Sequence, residues 1–264
     1  MQKKTFMQKP VEVRMSVQKQ KGMALAPYAR TLLEDGRVVI PFQSFPWERT
    51  ANLFEKLLKE ESADYIQSWE LSLWDDDEAD DGILVRSDDA HDKKTFFHFR
   101  PWLPTQLRKH GVNAMRHREL IENAALQHHA CIEHMRALVC ALDREVPEYR
   151  LRERFYNVAF RKRSVLRYLW YESIGTKPGD ILAREHRDKG CITFHIWERF
   201  PGLEYTEQRI PYLAGEKTIL AFWGKKAEEL SGGHLKALYH RVVNNGESST
   251  AARMACVFFG HIAP

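Results

Sequence analysis

The segment AREHRDKGCITFHIWERFPGLEY (183–205) places His186 and Asp188 two positions apart, directly before a dense run of apolar and aromatic residues. Such a run is typical of a buried β-strand, because β-branched and aromatic side chains favour strands. Two interpretations fit an imidazole and a carboxylate at its start. Either they belong to a polar turn that leads into the core, or they share a cation. The pair alone does not separate the two.

Three more segments of the C-terminal half have the same composition, and turns containing glycine or proline lie between them. They are SVLRYLWYES (164–173), KTILAFWGK (217–225) and ARMACVFFGH (252–261). Short strands at this spacing predict a mainly β fold with flanking helices. A double-stranded β-helix, the cupin-like jelly roll, fits best, and we expect residues 151–264 to form this core.

The N-terminal half has a different pattern, and we expect residues 36–150 to form a helical region that packs on the core. Within it, 36–45 predicts a strand, 47–67 an amphipathic helix, and 113–145 one long helix without Pro or Gly. Residues 1–35 predict a basic N-terminal arm.

Two other groups of potential metal ligands are interpreted as non-functional. The acidic run 74–82 lacks the closing Glu of a calcium loop and predicts a solvated loop. The long helix carries His117, His128, His129 and His134. Adjacent residues point about 100° apart on a helix, so we predict surface histidines there.

Composition and charge limit the class of protein. The 264-residue chain has a net charge of +4, and its Lys and Arg are scattered, which argues weakly against a nucleic-acid partner. No apolar run approaches the ~20 residues that span a bilayer, and no signal peptide is recognisable. The four cysteines form no CxxC pair, which favours a reducing compartment. We therefore expect a cytoplasmic protein.

A second histidine in the strand-rich half supports a shared cation. GGHLKALYHRVVNN (232–245) contains His240, and two histidines with one carboxylate on a β scaffold form the facial triad of non-haem Fe(II) oxygenases. Residues i and i+2 of a strand point to the same side, so His186 and Asp188 can face one metal.

Arg253 lies among apolar residues of the last predicted strand, which we expect to pair in the neighbourhood of His240. A buried guanidinium needs a carboxylate, which it can bind through two parallel hydrogen bonds. That carboxylate is either an external dicarboxylate such as 2-oxoglutarate or a protein acid elsewhere in the fold.

Several motifs in the same order resemble the isopenicillin N synthase-like branch of the Fe(II)/2-oxoglutarate-dependent oxygenases, over residues 165–259. The matching residues are His186-Arg187-Asp188, Gly190, Ile192-Thr193, Pro201-Gly202-Leu203-Glu204-Tyr205, Gly233-His234-Leu235-Lys236 and His240-Arg241-Val242.

The resemblance implies that His186, Asp188 and His240 bind iron, with no catalytic residue beyond the metal site. It also implies that Arg253 binds the far carboxylate of 2-oxoglutarate and that Tyr171 faces the same co-substrate. The sequence departs from the family at two positions of this pocket, where Ala255 replaces a usual serine and Leu169 a common asparagine. No proline follows Tyr171.

The function implied is that of a 2-oxoglutarate-dependent dioxygenase, which uses Fe(II) and O₂ and releases succinate and CO₂. It would hydroxylate, desaturate or cyclise a small organic substrate, whose identity the sequence does not indicate. Three alternatives stay open. One is an Fe(II)/O₂ oxidase of the same fold that does not use 2-oxoglutarate, and another is a non-catalytic binding protein that retains the fold. The third is an oxygenase whose substrate is a macromolecule, either protein or nucleic acid.

Overall fold

The computed structural model describes residues 25–43, 45–72, 80–86, 93–157, 163–171, 176–205, 211–212, 217–246 and 251–263. The α-helices within these ranges are α1 (Ala26–Asp35), α2 (Trp47–Glu60), α3 (Ala63–Gln67), α4 (Leu103–Lys109), α5 (Arg118–Glu145), α6 (Leu151–Tyr156) and α7 (Lys225–Leu230). The strands are β1 (Arg37–Pro41), β2 (Leu71–Ser72), β3 (Asp80–Arg86), β4 (Lys94–Phe99), β5 (Val165–Tyr171), β6 (Ile181–His186), β7 (Ile192–Arg199), β8 (Leu203–Tyr205), β9 (Pro211–Tyr212), β10 (Thr218–Trp223), β11 (His240–Val243) and β12 (Arg253–Gly260).

The strands form two antiparallel sheets. The large sheet has eight strands in the order β1-β10-β7-β12-β5-β4-β3-β2, and the small sheet has four in the order β6-β11-β8-β9. Many neighbours are distant in sequence: β1 pairs with β10, and β12 lies between β5 and β7. The sheets therefore bring the predicted site residues together through long-range pairing.

Helices cover one face of the large sheet and share its larger apolar core. Helix α2 contributes Phe54 and Leu57 to this core, and α5 contributes Leu138 and Leu142. A buried chain of hydrogen bonds joins the layers: Tyr168 of β5 donates to Gln127 of α5 (2.6 Å), which donates to Thr50 of α2 (3.0 Å). Each such bond contributes about 1 kcal/mol net, and it also fixes how the helices sit on the sheet.

A second, smaller apolar core lies between the two sheets. Leu182, Leu203 and Val242 of the small sheet pack there with residues of the large sheet that include Val257. Both faces of the large sheet are therefore buried, which explains the nearly continuous apolar character of β7 and β12. The inner core adjoins the predicted metal site.

The predicted elements of the C-terminal half are confirmed as β5, β7, β10 and β12. In the N-terminal half, the predicted strand is β1 and the long helix is α5, which follows a 3₁₀ turn at Ala114–His117. That half is not helical throughout, because β1 to β4 all belong to the large sheet. Residues 1–24 of the predicted arm lie outside the described ranges, whereas residues 26–35 form α1.

The prediction of surface histidines on the long helix is wrong for His128. This side chain is 4% exposed, and its ring meets those of Phe99 and Phe258 edge-on. Its Nε2–H donates to the Ser164 carbonyl (3.0 Å). Burial lowers the pKa of His128 from 6.5 to about 4, so it is a neutral member of the core.

The acidic run also contains a buried member. Asp81 lies in β3 and is fully buried, where it pairs with Arg100 and accepts a hydrogen bond from the indole of Trp102 (2.6 Å). The solvated-loop prediction is therefore wrong at this residue, because β3 pairs with β4 and draws Asp81 into the sheet. Residues 74–79 of the run lie outside the described ranges.

None of the helices in the described ranges combines the length and the apolar character that crossing a membrane requires.

Candidate metal centre

His186, Asp188 and His240 converge at one end of the small sheet. Strand β6 ends at His186, and β11 begins at His240, its register partner. Asp188 follows β6, and its Oδ1 lies 3.5 Å from His186 Nε2 and 3.7 Å from His240 Nε2. Within the described residues, this is the one group of three potential ligands whose ligand atoms all lie within 4.8 Å of one another. The predicted triad is thus brought together.

Backbone hydrogen bonds orient both imidazoles. His186 Nδ1 lies 2.7 Å from the Arg184 carbonyl oxygen, and His240 Nδ1 lies 3.2 Å from that of Leu238. A carbonyl only accepts, so Nδ1 carries the proton and Nε2 presents its lone pair toward Asp188. Hydrogen bonds of this kind orient metal-ligating histidines.

Asp188 is held in its ionised form. The Thr193 hydroxyl donates to Oδ2 (2.7 Å), which leaves Oδ1 facing the imidazoles. Burial raises the pKa of this carboxyl, but His240, His186 and Thr193 together outweigh burial, so its pKa lies well below the usual range. Two imidazole nitrogens and one carboxylate oxygen form the donor set that suits Fe(II).

The two histidines differ in protonation tendency because they differ in exposure. Burial lowers the pKa of His240, which is 5% exposed. Burial also acts on His186, but the hydrogen bond and charge of Asp188 outweigh it and raise the pKa of that residue. A divalent cation would therefore compete with a proton mainly at His186.

Arg253 begins β12, in the large sheet. The prediction that its strand pairs near His240 is wrong, because β12 pairs with β5 and β7 while β11 lies in the small sheet. Arg253 is 1% exposed and forms an ion pair with buried Glu198. A protein acid, the alternative partner expected from the sequence, is therefore present beside Arg253.

Glu198 has a second polar neighbour, since His195 Nε2 lies 3.5 Å from its carboxylate. Burial raises the pKa of Glu198, but Arg253 and His195 outweigh this and hold it below the usual range. Strict alternation would put residues 195 and 198 on opposite faces of β7. A register irregularity where β7 pairs with β12 brings both to the same face.

Tyr171 is the register partner of Arg253 across the β5–β12 pair, and its ring centroid lies 4.9 Å from the guanidinium carbon. The next pair on the same face is Leu169 and Ala255, both buried. The two departures from the family pattern are therefore direct neighbours. Together they make the wall beyond Arg253 apolar where serine and asparagine would make it polar.

A cavity of about 370 Å³ opens beside the metal ligands and is lined by both His186 and Asp188. Arg167 of β5 also lines it, and neither this residue nor Glu198 is among the site residues predicted from the sequence. For Arg167 a signal existed, because residues 167, 169 and 171 alternate onto one strand face. For Glu198 the register irregularity hides any such signal.

No family model and no curated protein matches the sequence. Solved structures match its fold over most of the chain. An oxygenase candidate from Shewanella oneidensis has a TM-score of 0.68 at 21% identity and covers 93% of this chain and 89% of its own. A candidate 2OG-Fe(II) oxygenase family protein from Caulobacter crescentus has a TM-score of 0.67 at 19% identity, with coverage of 90% and 83%.

A full-length protein from Neurospora crassa, solved in complex with alpha-KG, has a TM-score of 0.66 at 16% identity and covers 90% of this chain and 80% of its own. At these identities the likeness establishes the fold. The chain therefore has the fold of 2-oxoglutarate/Fe(II) oxygenases, in agreement with the resemblance of its motifs.

Proposed function

We propose that the protein is an Fe(II)- and 2-oxoglutarate-dependent dioxygenase that oxidises a small organic substrate. The observation that carries this proposal is the triad of His186, Asp188 and His240, whose ligand atoms lie within 4.8 Å of one another. The solved complex of the Neurospora crassa protein with alpha-KG supports the choice of co-substrate. We also propose that the two facing sheets form a double-stranded β-helix, the jelly roll expected from the sequence.

The residues present fit Fe(II). Two imidazoles with protonated Nδ1 offer Nε2, and an ionised carboxylate offers Oδ1. A bound Fe(II) would supply activation of O₂ coupled to oxidative decarboxylation of 2-oxoglutarate to succinate and CO₂. The chain's own contribution is to fix the ligands through backbone carbonyls and Thr193 and to exclude water around His240 and Asp188.

For the co-substrate, we propose that Arg253 binds the far carboxylate of 2-oxoglutarate and that Tyr171 packs beside it. Their stacking and burial support this assignment. Because Glu198 already pairs with Arg253, the incoming carboxylate has to share the guanidinium with Glu198 or displace it. Binding of 2-oxoglutarate is therefore expected to compete with an internal carboxylate.

The same ion pair favours a second candidate, an Fe(II)/O₂ oxidase that does not use 2-oxoglutarate. In that protein Glu198 would be the permanent partner of Arg253, and no external dicarboxylate would be needed. A binding protein without activity is the third candidate. Succinate formation separates the first from both others.

We propose a cytoplasmic location on a separate ground. Cys131, Cys140, Cys191 and Cys256 are all free thiols, as is usual in a reducing compartment.

The experiment that tests the proposal measures Fe(II) affinity and succinate formation in Asp188→Ala. Loss of one of three ligands should weaken Fe(II) binding at least about tenfold and abolish succinate formation. The matched control is His129→Ala, which removes an exposed histidine of α5 and should leave both quantities unchanged. Wild-type Fe(II) affinity and activity in Asp188→Ala would refute the metal site.

A further inference from the structure

The cavity beside the metal site has a strongly basic wall. Seven cationic side chains line it, and Asp188 is the one carboxylate among its lining residues in the described part of the chain. The cationic residues are Arg86, Lys94, Arg167, Arg184, Arg187, Lys189 and Lys225. Arg187 has a protein partner, since it pairs with Glu228 (2.7 Å). For a chain whose net charge is +4, this is a marked local concentration of positive charge.

Among the described residues, Arg167 is the one cationic residue of this wall that comes from β5. Its cross-strand neighbours are His98 of β4 and Val257 of β12. Its guanidinium carbon lies 4.8 Å from the ring centroid of Phe96 and 4.6 Å from that of Phe259. Aromatic rings covering a guanidinium leave its in-plane N–H groups as the donors for a ligand.

The charge of Arg167 is poorly compensated by its surroundings. Its Nε is buried and meets no hydrogen-bond acceptor within the described residues. Burial lowers the pKa of Arg167 to about 10, and the charge of Asp188 only partly opposes this effect. Arg167 is half-buried, and a partly desolvated guanidinium that lacks an adjacent carboxylate is costly unless a ligand supplies one.

We propose that the substrate is a small organic acid whose carboxylate binds Arg167 while its apolar body lies in the cavity against the metal site. This inference rests on the proposed function, because it names the substrate class of the same site. The volume of about 370 Å³ suits a small molecule, at the lower end of the range for ligand pockets. The neutral part of the wall is apolar and includes Leu84, Val165 and Ala183.

The geometry separates this carboxylate from that of 2-oxoglutarate. Arg167 pairs across the strands with Val257, whereas Arg253 lies four residues earlier on the same strand, about 13 Å away along β12. His186 and Asp188 line the cavity of Arg167, while Arg253 is buried beside Glu198. The two arginines therefore serve two different acids, and the metal site adjoins the cavity that holds the substrate.

The test is calorimetric titration of the Fe(II)/2-oxoglutarate protein under argon with hexanoate, cyclohexanecarboxylate and cinnamate, each against its own primary amide. At least one acid should bind, and its amide should bind roughly 10- to 100-fold more weakly. Arg167→Leu should abolish the preference for the acid. Arg136→Leu is the matched control, because Arg136 also stacks on an aromatic ring, that of Tyr156, but does not line the cavity.

Three results would overturn the inference: no binding by any acid, equal binding of acid and amide, or an acid preference that survives in Arg167→Leu. Loss of 2-oxoglutarate binding in Arg167→Leu with normal folding would overturn it as well, since Arg167 would then hold the co-substrate. The absorption band of the Fe(II)/2-oxoglutarate complex, recorded before each titration, tests the proposed function separately. If that band is absent, the same titrations on metal-free protein still decide whether the cavity prefers acids.

Discussion

Replacing Arg253 and Glu198, separately and together, tests whether their buried pair is the binding site of 2-oxoglutarate. Both side chains are essentially inaccessible to solvent, with exposures of 1% and 0%. In Arg253→Leu, Glu198 stays buried and loses the guanidinium, while His195 Nε2 remains 3.5 Å from its carboxylate. Breaking one partner out of such a pair costs about 3–5 kcal/mol of folding free energy. In this single variant, weaker binding of 2-oxoglutarate is therefore not distinguishable from loss of folding stability.

The double variant Arg253→Leu/Glu198→Leu removes that ambiguity. Replacing both members of a buried ion pair by apolar residues is often neutral for stability, so the unfolding temperature should stay near that of the wild type. The affinity for 2-oxoglutarate should still fall, because a charge-assisted hydrogen bond of about 1.5–3 kcal/mol is lost. That loss corresponds to a roughly 10- to 100-fold higher Kd.

Glu198→Gln supplies the opposite perturbation. Glutamine keeps the size of the side chain and can still accept a hydrogen bond from Arg253, but it carries no charge that competes with the co-substrate. We expect 2-oxoglutarate to bind about fivefold more tightly, equivalent to about 1 kcal/mol. The assay is calorimetric titration with 2-oxoglutarate under argon in the presence of Fe(II), with thermal unfolding as the check on stability.

If the double variant binds 2-oxoglutarate as the wild type does, Arg253 is not its site, and the oxidase without 2-oxoglutarate becomes the better account. If the double variant loses binding but Glu198→Gln gains none, Arg253 is the site and competition by Glu198 is wrong.

Two further predictions concern the packing around the site and the core. In Gly202→Ala the new Cβ would lie 2.6 Å from Arg253 Nε and 2.6 Å from the Val243 carbonyl oxygen, so both Arg253 and the backbone at Val243 have to shift. Titrations should show weaker 2-oxoglutarate binding with unchanged Fe(II) affinity, and unchanged binding of both would contradict the contact. His128 has a pKa of about 4 when folded and 6.5 ordinarily, so between these values the unfolded chain binds more protons and stability falls as pH falls. As pH falls through this interval, the free energy of unfolding of His128→Phe should decrease by about 3 kcal/mol less than that of the wild type, as measured by denaturant titration. Identical pH profiles of the two proteins would refute the assignment.

The strands and the metal triad could be predicted from sequence because both depend on local patterns. Runs such as SVLRYLWYES and CITFHIWERF have the composition of buried strands wherever they pair. The metal ligands can be identified without knowledge of the sheet order, from the spacing of His186 and Asp188 and from the position of His240 in its motif. The structure then brings the three residues together as predicted.

The surroundings of Arg253 could not be predicted, because they depend on which strands pair. The sequence places Arg253 only 13 residues after His240, yet their strands lie in different sheets. Glu198 meets Arg253 because β7 lies next to β12 and has an irregular register there. Neither fact has a local signature.

His128 shows the same limit for helices. The composition of α5 gave no indication of which face the sheet covers, and adjacent His128 and His129 differ completely in burial. The covered face is decided by packing against Phe99 and Phe258, which come from β4 and β12.

The absorption spectrum of the protein with Fe(II) and 2-oxoglutarate under argon tests the central claim most directly. If His186, Asp188 and His240 hold Fe(II) and leave room for a chelating 2-oxo acid, a weak visible charge-transfer band should appear. Admitting O₂ should then discharge the band with formation of succinate, and Asp188→Ala should show neither. A wild-type protein that binds Fe(II) but stays colourless with 2-oxoglutarate, and forms no succinate in air with organic acids present, would contradict the account.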